Sequence, residues 1–104
     1  RRRFFQRVFT ERELALIKDS LASAAGRFAA KEAVVKALGC GIGPISWKDI
    51  EILQSSRGKP VLILSENAKN ISQEENLMNW SISISHTKKQ AIALAVAYSE
   101  KLKK

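Results

Sequence analysis

A cluster of helix-breaking residues divides this sequence into two halves that differ in hydrophobic period. Gly39-Cys-Gly-Ile-Gly43 and Pro44 follow an alanine-rich run, and residues of this kind end a helix. Beyond them, apolar and polar residues alternate, which is typical of β-strands. Helices followed by antiparallel strands predict an α+β domain, with two N-terminal helices packed on an antiparallel sheet.

Two helices are predicted before the breakers. Thr10 and Glu13 have the spacing of a capping box, so the first helix should begin there and run to about residue 24 or 25. Gly26 is expected to interrupt this helix or to separate it from the next one. The second helix covers residues 28–38, where the strong helix former alanine is frequent.

The second half predicts four strands and one further helix. Strands are expected at residues 47–52, 61–64, 80–86 and 91–98, with a turn at 57–60 and a helix at 66–77. The short connection between the last two strands predicts an antiparallel hairpin. In the third strand the serines should face solvent. The last strand has a bulky face and a flat face that a helix can approach closely: Ile92, Leu94, Val96 and Tyr98 against Ala91, Ala93, Ala95 and Ala97.

Composition indicates one globular domain over residues 1–104 with a strongly basic surface. The net charge is +8 and the pI about 10.0, which favours polyanionic partners such as nucleic acid, a phosphorylated cofactor or an acidic protein. A domain this small often gains stability by oligomerising. The single cysteine, Cys40, indicates a reducing compartment, and no apolar run approaches the roughly 20 residues of a membrane helix. We therefore expect a cytosolic protein without a membrane anchor.

Glu32 and Lys36 are candidate site residues because their spacing puts them on one helix face. The commonest interpretation of such a pair is a surface ion pair. The functional one is a carboxylate for a hard cation beside an ammonium for a phosphate, since Mg²⁺ takes few protein carboxylates and completes its shell with water and phosphates. His86, the only histidine, is either a hydrogen-bonded strand end or a ligand contact.

Basic and aromatic residues are interleaved at the start of the chain. The pattern fits three interpretations: binding of single-stranded nucleic acid, docking of an acidic helix, or a solvated basic face whose rings are buried in the core. The apolar spacing favours burial of at least some of the rings. The residues are Arg1, Arg2, Arg3, Arg7 and Arg12 with Phe4, Phe5 and Phe9.

Several ordered blocks closely resemble the bacterial holo-acyl-carrier-protein synthases. The longest runs from Gly26 to Gly43 and reads Gly-Arg-Phe-Ala-Ala-Lys-Glu-Ala-Val-Val-Lys-Ala-Leu-Gly-Cys-Gly-Ile-Gly. Asp49-Ile-Glu-Ile52, Gly58-Lys-Pro60 and Ser83-Ile-Ser-His-Thr87 follow in the family's order, and residues 3–13 resemble its segment before the first long helix. The resemblance covers nearly the whole chain and implies a 4'-phosphopantetheinyl transferase-like fold.

The resemblance also implies an activity and a site. The family transfers 4'-phosphopantetheine from coenzyme A to a serine of apo-acyl carrier protein in lipid metabolism, with Mg²⁺, as a trimer with sites at subunit interfaces. Glu32 would bind the metal and Lys36 the phosphates, as the catalytic pair. Arg3 and Arg7 would receive the acidic carrier protein. The residues expected to hold coenzyme A are Gly58, Lys59, Pro60, Ser85, His86 and Thr87.

The sequence departs from the family in two places. The family begins with a strand carrying G-x-D-I, whose aspartate is a second metal ligand, and Arg1 follows the point where that strand would end. The connection before Gly26 is also several residues shorter than usual. Two alternatives therefore stay open: a catalytically impaired member that binds coenzyme A or carrier protein, and a basic nucleic-acid-binding module, for which no recognised motif is present.

Overall fold

The computed structural model describes residues 2–87 and 89–99, so Arg1 lies outside the described residues. It confirms the α+β class, with helices in the first half and two-stranded antiparallel sheets in the second. In chain order the elements are α1 (Arg2–Val8), α2 (Glu11–Ile17), α3 (Leu21–Leu38), a 3-10 turn (Trp47–Asp49), β1 (Ile50–Gln54), β2 (Pro60–Leu64), α4 (Glu66–Glu74), β3 (Asn79–His86) and β4 (Ala91–Tyr98).

The predicted capping box is confirmed, but the predicted helix boundary at Gly26 is wrong. Thr10 Oγ1 accepts a hydrogen bond from Glu13 N at 3.2 Å, and Glu13 Oε1 accepts one from Thr10 N at 3.0 Å. α2 ends at Ile17, and the next residue, Lys18, has a φ of +53°. Ser20 then caps the start of α3 by accepting a hydrogen bond from Ser23 N. Gly26 therefore lies inside the 18-residue α3.

Close packing explains why a glycine occupies the middle of α3. A Cβ at Gly26 would lie 3.0 Å from Ile84 Cγ2 of β3, closer than carbon atoms normally pack. The absent side chain lets the helix approach the β3–β4 hairpin. The end of α3 is as predicted, because Gly39 adopts a left-handed conformation with φ +81°.

The strands follow the prediction with shifted ends. β1 begins at Ile50 rather than at residue 47, because Trp47–Asp49 form a 3-10 turn. α4 ends at Glu74 rather than residue 77. β3 and β4 form the expected antiparallel hairpin, with Ser83 opposite Leu94.

The hairpin has the two predicted faces. Its inner face packs on the core beneath α3 through Trp80, Ile82, Ile84, Ala93 and Ala95. Its outer face is exposed and carries the serine stripe beside the bulky side chains of β4, since residues directly opposite each other share a face. Ile92 and Leu94 keep 67% and 62% of their surface exposed.

Candidate active site

Glu32 and Lys36 lie on the exposed face of α3, about 40° apart around the helix axis. The two side chains do not form the surface ion pair that is the commonest interpretation of their spacing. Within residues 2–87 and 89–99, neither side chain has a hydrogen-bond or ion-pair partner. One free carboxylate and one free ammonium therefore point from the same face of the helix.

Three of the six residues predicted to hold coenzyme A line one cleft of about 300 Å³ between α3, the β1–β2 hairpin and β3. Gly58 sits in the β1–β2 turn with φ +84°, which favours glycine. Pro60 begins β2, and His86 ends β3 across the cleft from it. His86 Cδ2 is 3.8 Å from the point where a Gly26 Cβ would lie, so the imidazole approaches the first half of α3.

The other three predicted residues lie outside this cleft. Lys59 lines a larger groove between β2 and β3 instead. Ser85 is exposed on the outer face of the hairpin, opposite Ile92. Thr87 Oγ1 accepts hydrogen bonds from the backbone N–H groups of Lys89 and Gln90, both at 3.2 Å, which orders the hairpin turn. Glu32 and Lys36 do not line the cleft either, so within one chain the predicted catalytic residues and the cleft are separate.

The donor set fits a magnesium ion held jointly with a phosphate ligand. The described part of the chain contains no group of three or more histidine, cysteine, aspartate or glutamate side chains placed to hold a metal. Mg²⁺ needs no such cage, because it commonly takes one or two carboxylates and fills its octahedron with water and substrate phosphates. Glu32 supplies a carboxylate without a competing partner, and Lys36 supplies a positive charge beside it.

Arg3 and Arg7 project from α1 into solvent, four residues apart and therefore on one helix face. Phe4, next to Arg3, is 45% exposed, although its ring also contacts Phe28 edge-on at 5.4 Å between centroids. Phe9, by contrast, is buried. The predicted burial of part of this aromatic set is confirmed, and a basic surface with one accessible ring remains.

A buried ionic cluster that the sequence analysis did not predict lies next to Glu32 in α3. Lys31 Nζ lies 2.8 Å from Glu13 Oε1, and both side chains are completely buried. The ammonium also donates to the backbone carbonyls of Trp47, at 2.9 Å, and Ile50. All three of its N–H groups are thereby used. Burial lowers the pKa of Lys31, and the bond to Glu13 opposes that shift.

The cluster satisfies the free edge of β1. Asp49 O accepts a hydrogen bond from Ser65 N, and Ser55 N donates one to Lys59 O, at the two ends of the pairing with β2. By alternation, the backbone groups of Ile50 and Ile52 point away from β2. Side chains meet them there. Glu13 Oε2 accepts from Ile52 N at 2.7 Å, and Arg27 Nε donates to Ile52 O at 2.9 Å. Burial lowers the pKa of Arg27, and Glu13 opposes the shift.

A sequence signal for this cluster exists. Positions 27, 31, 34 and 38 form one stripe of α3, and its last two residues, Val34 and Leu38, are apolar and buried. Arg27 and Lys31 therefore occupy core-facing positions. Charged residues there need buried partners, which predicts a polar cluster even where it does not identify Glu13.

The chain is similar to known proteins over most of its length. A family model described as the 4'-phosphopantetheinyl transferase superfamily matches residues 1–97. The chain is 51% identical over 98 residues to a holo-[acyl-carrier-protein] synthase of Alkaliphilus metalliredigens, covering 91% of this chain and 80% of that protein. It belongs to the holo-[acyl-carrier-protein] synthases. A synthase of Thermoanaerobacter sp. (strain X514) is 43% identical, with 91% of this chain and 71% of that protein covered.

Solved structures of holo-[acyl-carrier-protein] synthases share the fold. The Helicobacter pylori synthase in complex with coenzyme A superposes with a TM-score of 0.82 at 39% identity, covering 92% of this chain and 82% of that one. The Neisseria meningitidis synthase gives a TM-score of 0.83 at 32% identity, over 93% of this chain and 81% of that one. The predicted family and fold are confirmed. In the described residues, no helix is both long and apolar enough to cross a bilayer.

Proposed function

We propose that this chain transfers the 4'-phosphopantetheine group of coenzyme A to a serine of apo-acyl carrier protein, releasing adenosine 3',5'-bisphosphate. The observation that carries the proposal is that Glu32 and Lys36, on one face of α3, have no partner among residues 2–87 and 89–99, in a chain that belongs to the synthase family. The coenzyme A complex of the Helicobacter pylori synthase supports coenzyme A as the donor.

The chemistry is a phosphoryl transfer in which positioning and charge neutralisation matter most. The serine oxygen gives up its proton to water and bonds to the pantetheine-side phosphorus. The bond from that phosphorus to the bridging oxygen breaks, and the bridging oxygen leaves with the nucleotide as part of its phosphate. Lys36 offsets the charge on the phosphates. Glu32 would hold Mg²⁺, which supplies Lewis-acid stabilisation of the pyrophosphate when bound. Gly58, Pro60 and His86 line the cleft proposed for the nucleotide end of the donor.

The basic face of α1 is proposed as the docking site for the carrier protein. Arg3 and Arg7 are exposed and have no partner among the described residues, so both are available to carboxylates. The net charge of +8 attracts an acidic protein and an anionic cofactor alike. Attraction of this kind weakens as ionic strength rises.

We also propose that copies of the chain assemble as a trimer that completes the site. The catalytic pair and the cleft do not meet within one chain, which suits a site shared between neighbours. The outer face of the β3–β4 hairpin supports assembly, because a soluble monomer rarely exposes so continuous an apolar stripe. That stripe consists of Ile92, Leu94, Val96 and Tyr98. The cytosolic location remains a prediction from the single cysteine.

The direct test is modification of apo-acyl carrier protein by the full-length natural protein with coenzyme A and Mg²⁺. Intact mass spectrometry should show the carrier gaining one phosphopantetheine group, and a chelator should prevent the gain. Coenzyme A binding without any adduct, on every carrier tried, would instead support the catalytically impaired alternative. Steeply salt-dependent RNA or DNA binding without coenzyme A binding would support the nucleic-acid alternative.

A further inference from the structure

We propose that Glu13, Arg27 and Lys31 form a clamp on the edge of β1 that sets the rotation of α3 and thereby the direction of Glu32 and Lys36. The inference rests on the proposed transfer reaction and assigns positioning residues to it. Glu13 and Lys31 are completely buried, so neither can contact the substrate. They act through the helix that carries Glu32 and Lys36.

The clamp has two anchor points whose spacing matches on both elements. Arg27 and Lys31 are one turn apart, about 6 Å along the helix. Their backbone acceptors, Ile52 O and Ile50 O, are two residues apart on one edge of β1, about 7 Å along the strand. Two cations on one strand edge fix both the rotation of α3 and its position along β1.

Rotation matters because Glu32 directly follows Lys31. Adjacent residues on a helix are about 100° apart, so fixing the direction of Lys31 fixes that of Glu32. Glu13 connects α2 to both other elements, because it accepts a hydrogen bond from Ile52 N of β1 and forms an ion pair with Lys31 of α3. Three elements therefore meet at the residue before the proposed metal ligand.

The other end of the clamp reaches the nucleotide cleft. Arg27 lines that cleft and also donates to Gln54 Oε1 at 3.2 Å, near the turn that contains Gly58. Arg27 is therefore the member of the clamp that also reaches the cleft, whereas Glu13 and Lys31 act through α3 alone.

The test compares folded variants of the full-length protein. Lys31→Met removes the ammonium, and Glu13→Leu/Lys31→Met replaces the pair by apolar residues, which keeps a folded variant available if the single one unfolds. The control is Ser72→Ala on α4, which removes the hydrogen bond that Ser72 Oγ donates to Leu77 O and the one that it accepts from Trp80 Nε1; neither bond involves α3. Circular dichroism checks that each variant is folded at the assay temperature.

Two readouts separate positioning from stability. The first is the rate of carrier modification, from which we take kcat and the Mg²⁺ concentration that gives the half-maximal rate. The second is the dissociation constant of coenzyme A by calorimetry, with and without Mg²⁺. We expect the Lys31 variants to lose at least tenfold in kcat, to need more Mg²⁺, and to lose the tightening of coenzyme A binding by Mg²⁺. Ser72→Ala should stay within twofold of wild type in both.

A folded Glu13→Leu/Lys31→Met protein with wild-type kcat and Mg²⁺ dependence would overturn the inference. An equal loss of kcat in Ser72→Ala and in the Lys31 variants would also overturn it, because general destabilisation of the protein would then explain the lower rates. Absence of transfer by the wild-type protein is a different result, since it rejects the proposed function itself.

Discussion

Lys31 Nζ is 2.8 Å from Glu13 Oε1 in a site from which solvent is excluded on both sides. The pair joins α2 to α3, and its remaining hydrogen-bonding groups bind the backbone around β1. A pair of this kind contrasts with Arg12 and Glu51, where the guanidinium stays 64% exposed. Breaking the two pairs should therefore have unequal consequences.

Lys31→Met should lower the free energy of unfolding by about 3–5 kcal/mol, because it leaves the Glu13 charge buried without a partner. Glu13→Leu/Lys31→Met should recover part of the loss but not all, since Ile50 O and Ile52 N lose their side-chain partners. Arg12→Ala, at the exposed pair, should cost much less. Urea unfolding measures all three, and equal losses for Lys31→Met and Arg12→Ala would contradict the account.

Gly26→Ala should destabilise the protein although alanine is the better helix former. The new Cβ would meet Ile84 Cγ2 at 3.0 Å, and a β-branched side chain cannot turn that methyl away cheaply. In an Ile84→Ala background the contact is gone, so the same change should stabilise by about 0.8–1.0 kcal/mol through helix propensity. Thermal unfolding of the four proteins tests this reversal of sign, and the same sign in both backgrounds would rule out the packing explanation.

Leu94→Glu should convert the assembled protein into monomers, because it puts a charge at the middle of the exposed apolar stripe of β4. Sedimentation equilibrium measures the mass directly. Ile63→Glu is a matched control, since Ile63 is an exposed apolar residue on β2, away from that stripe. A wild-type protein that sediments as a monomer, or two variants that dissociate alike, would remove the stripe as the interface.

Stability should fall in acid partly through Glu51. Burial raises the pKa of Glu51, but hydrogen bonds from Arg12 and Thr10 outweigh it, so the pKa lies below its usual value. The unfolded chain then binds the proton first, so the contribution of Glu51 is complete above an unfolded pKa of about 4.3 and is lost as pH falls through the lower folded value. Glu51→Gln should be less stable at neutral pH and should decline less steeply below about pH 4.5. Urea titrations from pH 3 to 7 compare the two curves, and parallel curves would contradict this.

The sequence was sufficient for the features that depend on local pattern. The capping box at Thr10, the breakers after Leu38 and the two faces of β4 follow from residue type and period, and the structure has all three. The helix break at Lys18 was not predictable, because a lysine with positive φ carries no compositional signal. The helix boundary predicted at Gly26 was wrong for a related reason. A glycine is needed there because Ile84, 58 residues away in sequence, packs against that position.

In the candidate site, too, some features could be predicted from local sequence patterns and others could not. Glu32 and Lys36 were identified from helix spacing and family resemblance, and their lack of partners became clear only from the fold. Glu13 and Lys31 are joined across 18 positions and through the edge of β1, so no local pattern pairs them. When a side chain forms hydrogen bonds with the backbone of a strand that is distant in sequence, the pairing can be identified only from the tertiary structure.

The carboxylate of Glu32, which has no partner among the described residues, is proposed to serve phosphopantetheine transfer. This role is tested most directly by the rate at which full-length Glu32→Gln modifies apo-acyl carrier protein with coenzyme A and Mg²⁺, followed by intact mass. Glu66→Gln, which removes an exposed carboxylate from α4, is the control. We expect Glu66→Gln to match the wild type and Glu32→Gln to lose about 100-fold or more while remaining folded. A Glu32→Gln rate equal to that of the control would contradict the assignment.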